Sequence, residues 1–190
     1  MKALLFAFLL LHGAAHAADG KLKSGVFDPP RMAPEFALAG SDGSELQLAR
    51  YRGKVVALGF GFSHCPEVCP TTLATLAKAR KKLGTEGPGM QVVYVTVDPE
   101  RDSPGRLRAY LANFDPSFVG ATGTPEQLGK VREAYGIVAS RKLGKDPAIY
   151  AVDHSSFVYL IDRAGSLRAL VPYGRSADDI AHDVALLLKK

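Results

Sequence analysis

The chain has 190 residues and a formal net charge of +5, and hydrophobic residues make up 47% of it. This length suits one domain with a full hydrophobic core. The positive excess is too small to indicate nucleic acid as a partner, although it allows weak attraction to acidic protein or lipid surfaces.

The first 17 residues have the pattern of a secretory signal. Met1-Lys2 supplies a positive charge, Ala3 to Leu11 is apolar, and Ala15-His16-Ala17 matches an A-x-A cleavage site. The apolar stretch is shorter than the ~20 residues that span a bilayer. We therefore predict export and cleavage after Ala17, which lowers the formal charge from +5 to +4 by removing Lys2. The alternative is an uncleaved N-terminal segment that tethers the protein to the membrane.

The next part of the chain is predicted to be an extended segment followed by a hairpin. Residues 18–34 contain three prolines and show no apolar periodicity, so we expect an extended lead-in. Between residues 35 and 48, two short apolar stretches flank Ser41-Asp42-Gly43-Ser44, a sequence typical of a hairpin turn.

Two strands buried on both faces are predicted in the centre of the chain. The segments "KVVALGFGF" (54–62) and "QVVYVTV" (91–97) are nearly continuous in apolar residues and glycine. The segment between them is predicted to be a helix, with Pro70 near its start and Gly84 at its end.

Helices and a hairpin are predicted in the second half. Two helices are expected to begin at Ser103-Pro104 and at Thr124-Pro125. Residues 138–153 are polar and irregular and are read as an inserted loop or hairpin. The segments "SFVYLID" and "LRALV" flank a turn and predict a β-hairpin, and the last helix is expected to be capped by Ser176.

This order of elements defines an α/β protein with a central mixed β-sheet flanked by helices. A strand–cysteine–helix unit at the front and a β-hairpin–helix unit at the back are the thioredoxin-like arrangement. We predict a thioredoxin-like domain over residues 35–190, with an N-terminal hairpin extension and an inserted loop before the last β-hairpin.

Both cysteines lie in "GFSHCPEVCP" (61–70). Cys65 and Cys69 could form a structural disulfide, act as a thiol–disulfide redox pair, or bind a metal. An exported protein permits the disulfide. However, so short a loop would contribute only about 2 kcal/mol, against about 4.7 kcal/mol for a 100-residue loop. Stabilisation is therefore a poor reason for this spacing.

The position of the pair favours chemistry. Cys65 follows a buried strand, and Cys69 enters the first turn of a helix, where free N–H groups and the helix dipole favour thiolate. Thiolate is both the attacking species in disulfide exchange and a ligand for soft metals. Pro66 and Pro70 restrict the backbone around the pair. The redox and metal-binding interpretations both stay open.

The spacing of the cysteines narrows the choice of metal. Reductases of the thioredoxin type have two residues between their cysteines, whereas this chain has three. A structural zinc site needs four ligands, usually as two close pairs, and the sequence has no second cysteine pair. Two thiolates with one imidazole would form a low-coordinate soft site, which suits copper.

Three histidines after residue 17 could supply the imidazole. His64 adjoins Cys65, but neighbouring side chains of an extended segment point to opposite faces. His182 lies in the middle of the last helix, on a face expected to be solvated. His154 precedes the hairpin strand, where a structural role and a ligand role are both open. Asp153 could support its imidazole or turn the chain.

Three segments, "GFSHCPEVCP", "VTVDPERDSP" and "VDHSSFVYLIDRAG", resemble the signature of the Sco/SenC family in order and rough spacing. These are copper-binding assembly proteins of the thioredoxin superfamily that help to mature cytochrome c oxidase. The resemblance extends from about Phe36 to the last helix. It implies that Cys65, Cys69 and His154 bind copper, one ion per chain. The predicted export signal adds the expectation that the protein is periplasmic.

The chain departs from the family pattern at two points. The family motif commonly reads C-P-D-V-C-P, whereas this chain has Glu67, which keeps the charge and extends the reach by one methylene. Many relatives carry a membrane anchor, whereas this chain begins like a cleavable signal.

Acidic residues near the expected site are candidates for orienting the ligands. Asp98 follows the second buried strand, at the carboxyl end of the sheet where α/β proteins place their sites, and such partners position metal ligands. Glu67 and Asp153 are the other two candidates. The alternative is that Asp98-Pro99 is turn chemistry, and turn chemistry is also what we expect of Arg101 and Asp102.

The leading functional hypothesis is a copper metallochaperone. It would deliver copper to, or prepare, the dinuclear copper site of cytochrome c oxidase subunit II or another exported copper enzyme, docking partly through residues 137–153. It would need a copper donor protein and a periplasmic thiol reductant, and no catalytic turnover. The rival hypothesis is a thiol–disulfide oxidoreductase that reduces the partner's copper-ligand cysteines. A peroxiredoxin-like peroxidase is disfavoured because Phe62 replaces the usual threonine three residues before Cys65.

Overall fold

The computed structural model describes residues 20–143 and 150–189. The expected signal segment, residues 1–17, lies outside these ranges. In the described ranges, no helix combines the length and the apolar character needed to cross a membrane.

The strands are β1 (Gly25–Met32), β2 (Ala37–Gly40), β3 (Glu45–Gln47), β4 (Val55–Gly61), β5 (Met90–Thr96), β6 (Val119–Thr122), β7 (Ala139–Leu143), β8 (Tyr150–His154), β9 (Val158–Ile161) and β10 (Ser166–Val171). The helices are α1 (Val68–Lys82), α2 (Pro104–Ala112), α3 (Pro125–Tyr135) and α4 (Ala177–Leu188), with 3₁₀ turns at Leu48–Tyr51 and Gly84–Gly89.

Eight strands form one mixed sheet in the order β1-β10-β9-β4-β5-β6-β2-β3. The central strands β4, β5 and β6 run parallel, whereas β9, β10 and β1 continue the sheet in antiparallel fashion on one side. Every residue of β4, β5 and β9 is buried. The apolar runs of the sequence thus correctly predicted strands that are covered on both faces.

Two strands were not predicted as such. β6 has only four residues, Val-Gly-Ala-Thr, too few to show a periodic pattern. Its Gly120 lies close beneath α2, because a Cβ there would come within 2.8 Å of the Leu107 Cβ. The lead-in segment contains β1, which pairs antiparallel with β10 at the edge of the sheet. An edge position tolerates its prolines because one side of the strand needs no ladder hydrogen bonds.

The predicted helix caps are present. The side chains of Ser103, Thr124 and Ser176 each accept a backbone N–H of the first turn, and Thr124 forms a reciprocal capping box with Gln127. α1 begins at Val68, two residues before Pro70, and its side chains provide no N-terminal cap. Proline is still compatible with this position, because the first N–H groups of a helix have no intrahelical partner.

The sequence indicated a hairpin at 35–48 and a loop or hairpin at 138–153, and both segments form hairpins, one at the edge of the large sheet and one as a separate two-stranded sheet. β2 and β3 form the N-terminal hairpin, which joins the sheet through β2 and β6. The insertion at 138–153 contains the hairpin β7–β8, in which Ala139 pairs with His154. Residues 144–149 between these strands lie outside the described ranges. His154 is the last residue of β8, so it belongs to a strand and not to a loop.

Candidate metal centre

Three elements bring the predicted ligands together at the carboxyl end of β4. Cys65 lies in the turn after β4, Cys69 in the first turn of α1, and His154 at the end of β8. The two sulfur atoms and one imidazole nitrogen lie within 4.8 Å of one another. This separation is about twice a metal–thiolate bond of roughly 2.3 Å, so one ion can contact all three atoms.

The helix N-terminus acts on Cys65. The backbone N–H of Cys69 points at the Cys65 Sγ at 3.4 Å, and such an N–H group stabilises a thiolate. Both cysteines are free thiols, with Cys65 partly exposed and Cys69 buried. The Cys69 Sγ lies 3.3 Å from the His154 Nε2.

Burial dominates the acidity of Cys69. It raises the pKa of the thiol to about 12, and the nearby Tyr94 hydroxyl offsets only part of the effect. This corrects the expectation that the start of the helix favours thiolate at both cysteines. Cys69 carries its proton at neutral pH when no metal is bound, so a metal ion must displace that proton.

The imidazole of His154 is held in a ligand-competent form. Its Nδ1 lies 2.8 Å from the Ser155 carbonyl oxygen. Because a carbonyl only accepts, Nδ1 carries the proton, and the lone pair of Nε2 faces Cys69. Burial lowers the pKa of His154, although the Ser155 carbonyl and the charge of Asp153 act in the opposite direction. The ring of Phe62 meets the imidazole edge-on at 5.8 Å.

A second set of contacts ties the His154 strand to the β5–α2 loop. Tyr150, the first residue of β8, donates its hydroxyl to the Asp98 carboxylate at 2.8 Å. Asp98 is 1% exposed and also pairs with Arg101. The Arg101 guanidinium lies over the Tyr150 ring, and Arg141 lies 3.9 Å from the centre of the same ring. Asp98 thus contacts the strand that carries His154 through Tyr150 and does not bind the imidazole itself.

Asp102 has a larger structural role than the expected turn chemistry. It is fully buried and accepts the Ser63 backbone N–H at 3.0 Å and the Thr96 hydroxyl at 2.7 Å. The Thr96 hydroxyl oxygen in turn accepts the Asp98 N–H at 2.9 Å. Asp102 therefore connects the segment before Cys65 to the end of β5. No pattern in the sequence distinguishes this aspartate from an ordinary loop residue.

The remaining candidates lie apart from the three ligand atoms. Glu67 is exposed at the start of α1, and the exposed Asp153 pairs with Lys142. His64 is exposed and contacts the Ser63 hydroxyl, and His182 contacts the Lys21 carbonyl. Among the described residues, the cluster with metal-binding geometry contains only Cys65, Cys69 and His154.

The donor set fits a soft, low-coordinate ion. Two sulfurs and a neutral imidazole nitrogen are the ligands that select copper, whereas hard cations prefer oxygen. A closed zinc site would need a fourth ligand. The residues present can therefore hold one copper ion within a thioredoxin-like α/β domain.

Comparison with known proteins places this domain in a family. A family model described as SCO1/SenC matches residues 26–189, so the chain belongs to the SCO1/SenC family. It is 35% identical over 152 residues to the bovine mitochondrial SCO2 homolog, a match that covers 79% of this chain and 57% of the relative. A SCO2-like protein of Rickettsia conorii is 34% identical over 139 residues, with 73% of this chain and 68% of that protein covered.

Solved structures of Sco proteins share the fold. Copper-bound ScoI of Bradyrhizobium japonicum superposes with a TM-score of 0.76 and 31% identity, covering 82% of this chain and 99% of that one. Copper-bound yeast Sco1 gives a TM-score of 0.75 and 31% identity, with coverage of 85% and 90%. The predicted thioredoxin-like α/β fold and the predicted family are confirmed.

Proposed function

We propose that this protein binds one copper ion through Cys65, Cys69 and His154 and serves in the assembly of a copper enzyme. The observation that carries the proposal is the convergence of two sulfurs and one imidazole nitrogen within 4.8 Å from three separate elements. Two structures that resemble this chain at 31% identity were solved with copper bound, which supports copper as the ion.

The recipient we propose is cytochrome c oxidase subunit II, or another exported copper enzyme. The protein would deliver copper to the dinuclear site or prepare that site. A copper donor protein and a thiol reductant that keeps both cysteines reduced complete the set of proposed partners. Because the three ligands come from different elements, a docked partner can take over coordination one ligand at a time.

The hairpin β7–β8 is the proposed docking surface. Val138 and Leu143 are 72% and 65% exposed, which leaves two large apolar side chains beside the strand that carries His154. Arg141 and Lys142 on β7 pair with Glu100 and Asp153, so charged groups of both signs surround these apolar side chains. An apolar surface with a polar, charged rim suits contact with another protein.

The periplasm is the proposed location. It rests on the signal-like pattern of residues 1–17, and a membrane tether through an uncleaved N-terminal segment is the alternative. One structural neighbour, from Bacillus anthracis, is a lipoprotein of the same family at 25% identity. N-terminal sequencing of the protein from its native membrane and soluble fractions distinguishes the two.

A thiol–disulfide oxidoreductase is the second candidate function. In that reaction the Cys65 thiolate attacks a partner disulfide, and Cys69 then attacks the mixed disulfide. The Cys65–Cys69 disulfide forms while two electrons reduce the partner to two thiols. The contact between the Cys69 N–H and the Cys65 sulfur favours this order of attack. The reaction does not require His154.

An anaerobic Cu(I) titration of the reduced protein tests the proposal and separates the two functions. Affinity is measured by competition with a chelator, and stoichiometry by native mass spectrometry. We expect one copper per chain and an affinity loss of about 10-fold or more in His154→Ala. His182→Ala, which removes a histidine outside the cluster, should bind like the wild type. Binding indifferent to His154 would favour the oxidoreductase.

A further inference from the structure

The hydroxyl of Tyr94 is buried next to a cysteine sulfur. The residue lies in the middle of β5 and is 2% exposed, and no hydrogen bond of ordinary geometry links its hydroxyl to the described residues. The hydroxyl nevertheless lies close enough to the Cys69 thiol to act on it as a donor. A buried hydroxyl without a well-formed hydrogen bond has a cost in stability. Phenylalanine would fill the same space without that cost, so the hydroxyl calls for an explanation.

The hydroxyl lies beside a predicted copper ligand. A Cβ on Gly61, the last residue of β4, would overlap the Tyr94 hydroxyl oxygen and lie 2.7 Å from the Cys69 Sγ. The Tyr94 hydroxyl oxygen and the Cys69 sulfur thus lie on either side of the small space next to the Gly61 Cα. Glycine at this position of the strand leaves that space open, which allows the tyrosine hydroxyl to approach the sulfur.

The chemistry of sulfur decides when such a contact becomes strong. A neutral thiol is a weak acceptor, whereas hydrogen bonds to ionised groups are shorter and stronger. Copper binding removes the proton from the sulfur and leaves it with lone pairs and negative charge. The phenol, which ordinarily loses its proton only near pH 10, is the donor that lies beside it.

We propose that Tyr94 donates a hydrogen bond to the Cys69 sulfur when copper is bound, and so acts as a positioning residue for the metal. The inference rests on the proposed copper site and adds to it a determinant of affinity and of oxidation state. The hydrogen bond stabilises the buried thiolate. It also lowers the energy of the sulfur electrons, so they are donated less readily to Cu(II), which favours Cu(I).

Tyr94→Phe tests the inference, with Tyr51→Phe as the matched control. Tyr51 is also buried, and its hydroxyl also has no hydrogen-bond partner in the described part of the chain, but its charged neighbours are Arg50 and Asp42. We expect Tyr94→Phe to bind Cu(I) about 10-fold more weakly. In the Cu(II) form, the thiolate-to-copper charge-transfer band should move to longer wavelength. Tyr51→Phe should change neither quantity.

The outcomes separate this inference from the proposed function. If the wild type binds copper and Tyr94→Phe matches it in affinity and in band position, the inference is wrong and the proposed function stands. If the wild type binds no copper, both fail. The band is read on folded, loaded protein, so a general loss of stability in Tyr94→Phe does not imitate the expected shift.

Discussion

The guanidinium carbon of Arg101 lies 3.9 Å from the centre of the Tyr150 ring. The guanidinium carbon of Arg141 also lies 3.9 Å from the centre of this ring, so the tyrosine contacts two cations. Tyr150 begins the strand that ends at His154, and Arg101 belongs to the loop after β5. This contact therefore joins the hairpin that carries the imidazole to the sheet that positions the cysteines.

Removing the Tyr150 ring should weaken copper binding. In Tyr150→Ala the cation–π contacts and the hydrogen bond to Asp98 are lost, and the strand bearing His154 is held less firmly. We expect about 10-fold weaker Cu(I) binding, a typical effect of removing groups that support a ligand. Tyr150→Phe keeps the ring and should lose less. Chelator competition measures both.

The control for this variant is Tyr173→Ala, which removes a tyrosine that is 44% exposed. Its Cu(I) affinity should equal that of the wild type. Equal affinity in Tyr150→Ala and Tyr173→Ala would show that the contact with Arg101 does not position the histidine.

Copper affinity should rise with pH. The pKa of Cys69 is about 12 in the metal-free protein, so at any pH well below that value binding releases the proton of this thiol. Each released proton increases the apparent affinity about 10-fold per pH unit. Burial lowers the pKa of His154, so above pH 7 the imidazole adds no further dependence.

Titrations between pH 7 and 9, corrected for the protonation of the chelator, measure this slope. We expect at least one released proton per copper in the wild type, and a slope smaller by about one in Cys69→Ser. An affinity that does not change with pH would mean that Cys69 is ionised before the metal arrives, contrary to its burial.

Asp102 should be important for the stability of the site. Asp102→Ala leaves the Ser63 N–H and the Thr96 hydroxyl without their buried acceptor, at about 1–3 kcal/mol for each unsatisfied group. We expect the free energy of unfolding to fall by about 3 kcal/mol, measured by urea denaturation. Glu126→Ala breaks an exposed ion pair with Lys130 and should cost less than about 1 kcal/mol. Similar values for the two variants would refute the buried role of Asp102.

The space at Gly61 should not tolerate a side chain. Its Cβ would overlap the Tyr94 hydroxyl and crowd the Cys69 sulfur, and overpacking of a core costs about 1–3 kcal/mol. We expect Gly61→Ala to lower both the free energy of unfolding and the Cu(I) affinity. Gly59→Ala, on the same strand, meets the Tyr94 ring at 3.4 Å and should be milder. Equal behaviour of the two variants would contradict this packing.

Local patterns predicted the parts of the fold that local physics determines. The continuous apolar runs predicted β4 and β5, and Ser103, Thr124 and Ser176 predicted helix starts, because a cap needs only its own turn. The strand β6 was not predicted because its four residues are too few to show an alternating apolar pattern. The pairing of β1 with β10 was not predicted because it depends on a strand that is distant in the sequence.

The site shows the same division. Chemistry and spacing indicated the two cysteines, and a resemblance to the Sco/SenC motifs indicated His154. The burial of Cys69, the stack of Arg101 on Tyr150 and the hydrogen bonds of Asp102 depend on contacts between distant segments. Residue types alone do not specify such contacts, so the raised pKa of Cys69 and the supporting role of Asp102 became visible only in the structure.

X-ray absorption spectroscopy of the Cu(I)-loaded protein identifies the atoms that bind copper. We expect a first coordination shell of two sulfurs and one nitrogen, with the nitrogen and its imidazole scattering lost in His154→Ala. A shell of sulfur alone, or one that His154→Ala leaves unchanged, would contradict a copper site formed by Cys65, Cys69 and His154.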